Sequence, residues 1–387
     1  MEAWLEDNCT GCEACINACQ VNAISMLENP VNGFLYPFIN KELCTECKIC
    51  EKICPIQKKI SFKQTSALIK KSYSPQEFFA AQSKNDELRF QSTSGGIFTE
   101  LAKAIISVGG LVYGAGYDED MNVVHLGINE LYNISKIRGS KYVQSRIGYL
   151  YREIKTNLNM NVAVLFVGSP CQVAGLYSYL EHDYENLYTI EFICIGVNSP
   201  YVYRKWLNEI VADNKSKVSN IWFKYKKNGW RNSPFCTRID FENCSSLVLD
   251  FKDNFYMKGF LQGNYFIRPC CSNCHFVGEK RIADIIFGDF WSEEISDDKG
   301  TSVVIINSNK GSFLFNSIKE NIDFFEVELH TICNYNPRYL TPINKNPLSL
   351  SFYEELKNKS FSEIMKKYLE RDNSLSDIMI KILPKTD

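Results

Sequence analysis

The sequence lacks three features that would point to nucleic acid or to a membrane: an excess of basic residues, a secretory leader and a long apolar run. Its 43 Lys and Arg are balanced by 45 Asp and Glu, so a net charge of −2 gives no hold on phosphate backbones or anionic lipids. The N-terminal residues show no basic stretch followed by an apolar one. The longest uncharged run, residues 156–180, is interrupted by Gly168, Ser169, Pro170 and Gln172, which is typical of a buried strand and turn. We expect a cytoplasmic protein that has no membrane span and binds no nucleic acid.

Histidine and the usual nucleotide-binding motifs are also scarce. Gly114-Ala115-Gly116 lacks the third glycine of the dinucleotide fingerprint, and no G-K-[ST] phosphate loop occurs. No catalytic residue is assigned, because no constellation is formed by the four histidines, His125, His182, His275 and His330.

Cysteine, in contrast, is abundant, with sixteen residues. Two runs near the N-terminus share the spacing C-x-x-C-x-x-C-x-x-x-C. The first is Cys9, Cys12, Cys15 and Cys19, and the second is Cys44, Cys47, Cys50 and Cys54. In two-cluster ferredoxins the fourth cysteine of each run binds the other cluster. The spacing therefore predicts one [4Fe–4S] cluster at Cys9, Cys12, Cys15 and Cys54, and another at Cys44, Cys47, Cys50 and Cys19.

Zinc and disulfides are the alternatives for these cysteines. Zinc sites usually pair cysteines as separated C-x-x-C couples rather than triplets, and disulfides do not need this repeat. Pro55 closes the second run, whereas Gln20 stands where the usual motif has proline. The runs resemble those of bacterial-type two-cluster ferredoxins and predict a protein that transfers electrons. Sixteen cysteines without a leader favour metal thiolates in a reducing cytoplasm, and oxygen-sensitive clusters favour an anaerobic source.

The chain of 387 residues is too long for a ferredoxin alone and predicts two or three domains. Residues 1–57 are predicted to form the ferredoxin domain, 58–76 a linker, 77–346 a larger domain and 347–387 a helical tail. Alternating strands and helices in the larger domain predict a parallel or mixed sheet. The predicted fold class is therefore α+β or α/β, with a small two-cluster ferredoxin domain followed by a larger mixed-sheet α/β domain.

Within the larger domain, apolar periodicity predicts individual elements. A helix is expected over 94–108, and a hairpin over 111–117 and 123–128. Two strand-loop-helix units are expected, with strands at 162–167 and 187–192 and helices from about 172 and 201. Further strands are expected near 221–225, 237–241, 282–287 and 303–306.

Eight cysteines lie outside the two N-terminal runs. Cys171 and Cys194 each follow the end of a predicted strand, where open α/β sheets gather their ligands, and Cys271 and Cys274 form a C-x-x-C couple. These four thiolates could hold a third cluster, although a free cysteine is more often a small buried hydrophobe. Cys270 could replace Cys271. Packing roles are assigned to the isolated cysteines, Cys236, Cys244 and Cys333.

Six ordered motifs following the ferredoxin module give the chain a wider resemblance. They are STSGG (92–96), RGSKYVQS (138–145), VGSPCQVAGL (167–176), EFICIGVNSP (191–200), RPCCSNC (268–274) and RIADIIFGDFW (281–291). In this pattern the sequence resembles the beta-subunit family of coenzyme F-420-reducing hydrogenases and dehydrogenases. The resemblance implies FAD in residues 77–346 and a third cluster at Cys171, Cys194, Cys271 and Cys274. Where members read R-P-S-C, this chain has Arg268-Pro269-Cys270-Cys271, so Cys270 is the additional cysteine.

The FAD that the resemblance implies has three candidate binding segments. Ser92–Gly96 opens a predicted helix, whose amides suit a pyrophosphate, although an ordinary serine cap is the simpler explanation. Lys141 could stabilise a reduced flavin and Tyr142 could stack on it, although each could equally be a surface lysine and a core tyrosine. Asp289 and Trp291 follow a strand and could contact the ribose or the ring. The candidate flavin-binding residues are Ser92, Ser94, Gly95, Gly96, Ser140, Lys141, Tyr142, Gly288 and Asp289.

These expectations converge on an iron–sulfur FAD-dependent oxidoreductase that passes electrons between ferredoxin-type clusters and FAD to reduce an organic substrate, in a pathway such as polysaccharide or cofactor biosynthesis. The expected partners are a ferredoxin or other redox protein and a small-molecule substrate, and a homo-oligomer is left open. The alternatives are an electron-relay subunit, an oxidoreductase of the reduced deazaflavin F-420 that feeds a partner enzyme, and a redox sensor. The sequence does not identify the substrate or the direction of electron flow.

Overall fold

The computed structural model describes residues 7–57, 76–231, 235–278 and 281–372. The predicted linker, 58–76, lies outside the described residues except for its last position. None of the helices in these ranges is long and apolar enough to cross a membrane.

Residues 9–57 of the N-terminal domain contain two short helices and a hairpin. The helices are α1 (Ala14–Ala18) and α2 (Ile49–Lys52), and they pack against each other. The hairpin pairs β1 (Ile24–Glu28) with β2 (Leu35–Ile39) in antiparallel fashion, with Ile24 opposite Ile39. Each cysteine run therefore crosses one of the short helices, and the hairpin separates the two runs.

The larger domain is built on an eight-stranded mixed sheet with the order β13-β3-β12-β11-β7-β6-β4-β5. A second sheet has the order β10-β9-β8 and is antiparallel. The strands are β3 (Glu77–Ser83), β4 (Leu111–Tyr117), β5 (Val123–Ile128), β6 (Val164–Gly168), β7 (Leu187–Phe192), β8 (Val218–Trp222), β9 (Thr237–Phe241), β10 (Ser246–Leu249), β11 (Ile285–Asp289), β12 (Ser302–Ile306) and β13 (Ile322–Glu326).

In the middle of the large sheet, β4, β6, β7 and β11 run parallel to one another. The connections that follow these strands therefore gather at one edge of the sheet. The helices are α3 (Asp86–Phe90), α4 (Ile97–Ser107), α5 (Ile134–Ile137), α6 (Leu150–Asn159), α7 (Pro170–Leu180), α8 (Pro200–Asn214), α9 (Phe255–Lys258), α10 (Asn309–Asn316), α11 (Leu329–Tyr335), α12 (Ser349–Leu356) and α13 (Phe361–Asp372).

The predicted fold class is confirmed: a small N-terminal ferredoxin-like region precedes a larger mixed-sheet α/β domain. The hairpin of β4 and β5 and the strands β7 and β9 have the predicted bounds. The helix predicted from residue 94 begins later, at Ile97, because Gly96 adopts a left-handed φ of 88°. The strand predicted over 221–225 lies earlier, at Val218–Trp222. The strand predicted over 282–287 lies later, because the buried Asp284 carboxylate accepts hydrogen bonds from Thr189.

The C-terminal helices belong to the core of the larger domain. Phe352 of α12 and Phe361 and Tyr368 of α13 are fully buried. They pack in one apolar cluster with Trp206 of α8 and Tyr256 of α9. Residues 349–372 therefore support the face of the protein formed by α8 and the small sheet, and the rest of the predicted helical tail lies outside the described residues.

The N-terminal domain packs directly on the larger one. Cys12, Ala14 and Ile53 share an apolar cluster with side chains of α6 and α7. Gly175 of α7 lies so close to this domain that an added Cβ would sit 2.9 Å from the Cβ of Cys12. Cys12 of the first run is therefore buried between the two domains.

Candidate iron–sulfur and flavin sites

The first N-terminal cysteine set lies in the domain interface. Burial raises the pKa of the thiols of Cys9, Cys12 and Cys15, and the thiol of Cys54 is close enough to raise each of them further. The structure thus brings Cys54, from the second run, beside three cysteines of the first. This is the grouping that one cube-shaped cluster needs.

The second N-terminal set lies nearer the surface. Cys47 is exposed, while Cys19, Cys44 and Cys50 are partly buried. Hydrogen bonding to the backbone, chiefly at Ile49, lowers the pKa of the Cys47 thiol. The Cys19 Sγ accepts a hydrogen bond from the amide of Ala23 at 3.2 Å. The two sets therefore differ in exposure although their spacing is the same.

The five cysteines of the larger domain's predicted third site line one cavity: Cys171, Cys194, Cys270, Cys271 and Cys274. Cys171 lies in the first turn of α7, directly after β6, and Cys194 follows the end of the parallel neighbour β7. Cys270 and Cys271 lie in the 3₁₀ turn Pro269–Asn273, and Cys274 directly follows it. The cavity is also lined by Thr10 and Ile56 of the N-terminal domain.

Cys270 and Cys271 both face this cavity and interact with each other. Cys270 is buried, and its pKa is lowered by the Cys271 side chain and by Arg268. The pKa of Cys271 is raised by the Cys270 side chain and by burial. Of the isolated cysteines, Cys236 is fully buried, but the packing role predicted for Cys244 is wrong, because this residue lies exposed in the turn between β9 and β10.

Two buried arginines, Arg268 and Arg281, lie beside cysteines of this cavity. Arg281 lies near Cys194 and Cys274 and acts to lower the pKa of both thiols. Its Nε and NH2 groups are buried and have no hydrogen-bond partner. Buried donors are normally satisfied, and the sulfurs of an iron–sulfur cluster accept hydrogen bonds. Cysteine side chains and a neighbouring buried guanidinium with unsatisfied donors therefore occur together, which suits a [4Fe–4S] cluster.

Within residues 7–57, 76–231, 235–278 and 281–372, no three His, Cys, Asp or Glu side chains are grouped closely enough to hold a single metal ion. Thiolates around a cube-shaped cluster are more widely spaced than those around one zinc ion, because each binds a different iron.

The first two candidate flavin segments touch each other. The hydroxyl of Thr93 accepts a hydrogen bond from the amide of Ser140 at 2.8 Å and lies 3.2 Å from the Ser140 hydroxyl. The neighbouring carbonyl of Thr93 accepts from the indole of Trp230 at 3.0 Å. Ser92–Gly96 and Ser140–Tyr142 therefore form one continuous surface.

Protein atoms occupy the space beside the two glycines of Ser92–Gly96. A Cβ on Gly95 would lie 2.3 Å from the carbonyl of Ala81, and one on Gly96 would lie 2.5 Å from Leu88. The hydroxyls of Ser92 and Ser94 donate to the carbonyls of Leu88 and Thr301. The glycines are thus required by internal packing, and the amides that begin α4 remain the part of this segment suited to an anion.

Among the described residues, no carboxylate forms an ion pair with the ammonium group of Lys141. Its ammonium donates to the carbonyls of Arg138 and Gly139 at 2.8 and 3.2 Å. Burial, and then the charge of Arg138, lower the pKa of Lys141 to about 7. An anionic phosphate or reduced flavin would supply the missing negative charge, so the donor set fits the predicted cofactor.

Asp289, which is partly exposed, forms an ion pair with the buried Lys224, a residue that sequence reasoning missed. The pair is close enough to Tyr142 to affect the pKa of the phenol. The Lys224 ammonium also lies 5.0 Å from the ring of Trp291, which stacks on Trp230 with ring centroids 4.0 Å apart. All three candidate flavin segments therefore meet near one aromatic and cationic cluster. Nothing in the spacing of the sequence distinguishes Lys224 from other lysines.

Two family models match this chain. The model for the C terminus of the coenzyme F-420 hydrogenase/dehydrogenase beta subunit matches residues 162–330, and a 4Fe-4S dicluster domain model matches residues 8–58. A polyferredoxin-like protein of Methanocaldococcus jannaschii is 37% identical over 60 residues, which are 13% of this chain and 35% of that protein. The chain thus spans about a third of the length of this relative.

Among solved structures, the F-420-reducing [NiFe] hydrogenase complex from Methanosarcina barkeri contains a chain that is 18% identical, with a TM-score of 0.44. The match covers 79% of this chain and 94% of that one. The family resemblance of the sequence is confirmed by the two family models: the chain has an N-terminal 4Fe-4S dicluster domain and is related, through residues 162–330, to the C terminus of the coenzyme F-420 hydrogenase/dehydrogenase beta subunit.

Proposed function

We propose that this chain is an iron–sulfur flavoprotein oxidoreductase that passes electrons between a one-electron carrier, such as ferredoxin, and an organic substrate. The observation that carries the proposal is the convergence of Cys171, Cys194, Cys271 and Cys274 on a cavity that the N-terminal dicluster domain also lines. A cluster bound by these four cysteines would lie between the dicluster domain and the larger domain, where it could pass electrons from one to the other.

When bound, [4Fe–4S] clusters carry single electrons, and FAD can exchange an electron pair with a substrate as hydride. The set of Cys44, Cys47, Cys50 and Cys19 would hold the outermost cluster, where an external carrier can approach. The set of Cys9, Cys12, Cys15 and Cys54 would hold the next, in the domain interface. The cavity set would hold the innermost cluster, and Cys270 is the alternative to Cys271 as its ligand.

The flavin would be held where the three candidate segments meet. In this proposal the first amides of α4 and the Lys141 ammonium bind its anionic groups. Tyr142 provides an aromatic surface, and the ion pair with Lys224 fixes the position of the Asp289 carboxylate next to the site. Ser140 is held in place by Thr93.

A relay subunit without a substrate of its own is the second candidate. It is favoured by exposed apolar side chains on the dicluster domain, where a partner protein could dock: Val21, Leu27, Phe38 and Leu43. A third possibility, suggested by the name of the family, is that the organic reactant is the deazaflavin F-420 and that the chain feeds a partner enzyme.

The decisive experiment is to measure iron, sulfide and extractable flavin per chain in anaerobically purified protein. About twelve irons with one FAD are expected for three [4Fe–4S] clusters and a flavin. About eight irons without flavin in folded protein would contradict the oxidoreductase proposal and favour the relay. A second assay separates the two functions directly. An oxidoreductase should reduce an organic acceptor with dithionite-reduced ferredoxin and not when ferredoxin is omitted, whereas a relay subunit alone should reduce none.

A further inference from the structure

The two arginines beside the cysteine cavity differ in how their charge is balanced. Arg281 donates from NH1 to the Glu191 carboxylate at 2.8 Å, and both side chains are almost completely buried. Arg268 is equally buried, at 1% exposure. None of the ion pairs formed by the described residues includes Arg268.

Three neutral oxygens accept hydrogen bonds from the Arg268 side chain. Its Nε donates to the carbonyl of Cys9 at 2.7 Å, its NH1 to the Gln144 amide oxygen at 2.7 Å, and its NH2 to the carbonyl of Leu35 at 2.9 Å. The guanidinium also lies over the rings of Phe34 and Tyr36. These contacts fix the orientation of the guanidinium, and none of them pairs its positive charge with a carboxylate.

The position of this charge is between two predicted clusters. Cys9 belongs to the interface set, and Cys271 belongs to the cavity set. The titratable groups that act on Arg268 are the thiols of Cys9, Cys270 and Cys271 and the phenol of Tyr36. A buried charge is strongly unfavourable unless it is paired. A cluster with four thiolates is anionic, so the two clusters themselves are the counterions that the burial of Arg268 requires.

We propose that Arg268 is a fixed positive charge placed between the interface cluster and the cavity cluster, where it raises the reduction potentials of both and so directs single electrons toward this part of the chain. This inference rests on the proposed function, because it needs both clusters. Each reduction adds one electron to a cluster, and a nearby positive charge stabilises the more negative, reduced form. Arg268 is thus a positioning and tuning residue rather than a catalytic one.

The test is an EPR-monitored redox titration of the anaerobically purified, iron-loaded full chain. Arg268→Gln should lower the midpoint potentials of two clusters and leave that of the outermost cluster unchanged. Arg268→Lys, which retains the charge, should give a smaller shift than Arg268→Gln. Cys47→Ser and Cys274→Ser assign the signals of the outermost and cavity clusters. Arg238→Gln, at a partly exposed arginine of the small sheet that pairs with Asp240, is the control and should shift none of them.

Gln144→Glu tests the charge without removing the arginine. The change places a carboxylate against the NH1 group of Arg268 and should lower the same two potentials. If Arg268→Gln fails to retain iron, this variant decides the question. Unchanged potentials in iron-loaded Gln144→Glu and Arg268→Gln would overturn the proposal, as would equal shifts in the Gln and Lys variants. A wild-type chain without three cluster signals would contradict the proposed function instead.

Discussion

Cys12 and Cys47 occupy the same position in their two cysteine runs, yet Cys12 is buried and Cys47 is exposed. The difference arises from the larger domain, because α7 covers Cys12 through Gly175. Solvent exposure is one of the factors that set the reduction potential of an iron–sulfur cluster. Identical spacing in the sequence therefore produces two sites with different surroundings.

Cys54→Ser tests the predicted crossover of the fourth cysteine. Cys54 lies beside Cys9, Cys12 and Cys15. Its removal should lose the interface cluster, about four of about twelve irons, although Cys54 stands in the second run. Iron analysis and EPR measure the loss. Cys244→Ser, at an exposed turn, should retain all the iron. If Cys54→Ser instead abolishes the signal that Cys47→Ser abolishes, the assignment of ligands is wrong.

His125 is a buried, neutral histidine whose pKa is lowered to about 4, mainly by burial. Its Nε2 donates to the carbonyl of Val167 at 3.1 Å, and its Nδ1 accepts from the hydroxyl of Ser145 at 3.0 Å. Because the unfolded chain binds the proton near pH 6.5, stability is lost as the pH falls from 6.5 toward 4. Between pH 7 and 5 the loss should be about 2 kcal/mol.

Denaturant unfolding of wild type and His125→Gln at pH 7 and pH 5 measures this contribution. Between pH 7 and pH 5, the free energy of unfolding of the variant should fall by about 2 kcal/mol less than that of the wild type. His182→Gln, at an exposed histidine, should retain the pH dependence of the wild type. An equal pH dependence in wild type and His125→Gln would show that another group is responsible.

At the scale of elements, α7 contacts the N-terminal domain most tightly at Gly175. A Cβ on Gly175 would lie 2.9 Å from the Cβ and 3.1 Å from the Sγ of Cys12. Gly175→Ala should therefore displace the first cysteine run, destabilise the protein by about 1–3 kcal/mol and reduce the iron bound at the interface set. Thermal unfolding and iron content provide the measurements. Ser178→Ala, in the same helix, is the matched control, and wild-type iron in Gly175→Ala would contradict this role of α7.

The same elements show where sequence patterns succeed. The strands β4, β5, β7 and β9 were predictable because each is a compact apolar or alternating run bounded by turn residues. The first residue of α4 was not predictable, because the left-handed conformation of Gly96 determines where the helix begins. Leu88, from another element, fills the space beside that glycine. The beginning of β11 likewise depends on the contact of Asp284 with Thr189, which is remote in sequence.

At the scale of the whole molecule, Arg152 ties the larger domain to the dicluster domain. Its guanidinium donates to the carbonyls of Asn17, Ile16 and Cys19 at 2.8 to 2.9 Å. Arg152→Ala should weaken the docking of the N-terminal domain by about 2 kcal/mol. Hydrogen exchange of amides 14–22 should become faster. The control is Arg204→Ala, at an arginine on the surface of α8, which should leave the exchange of these amides unchanged. If Arg152→Ala also leaves it unchanged, apolar packing alone holds the domains together.

The sequence by itself determined the two cysteine runs, the order of the domains and the strand-end positions of Cys171 and Cys194, because ligand spacing and apolar periodicity are local properties of a chain. Only the tertiary structure decided which cysteines are exposed, that five of them line one cavity, and that Arg268, Arg281 and Lys224 are buried beside the candidate sites. Burial and the pairing of charges depend on residues that are distant in sequence, so no spacing rule reveals them.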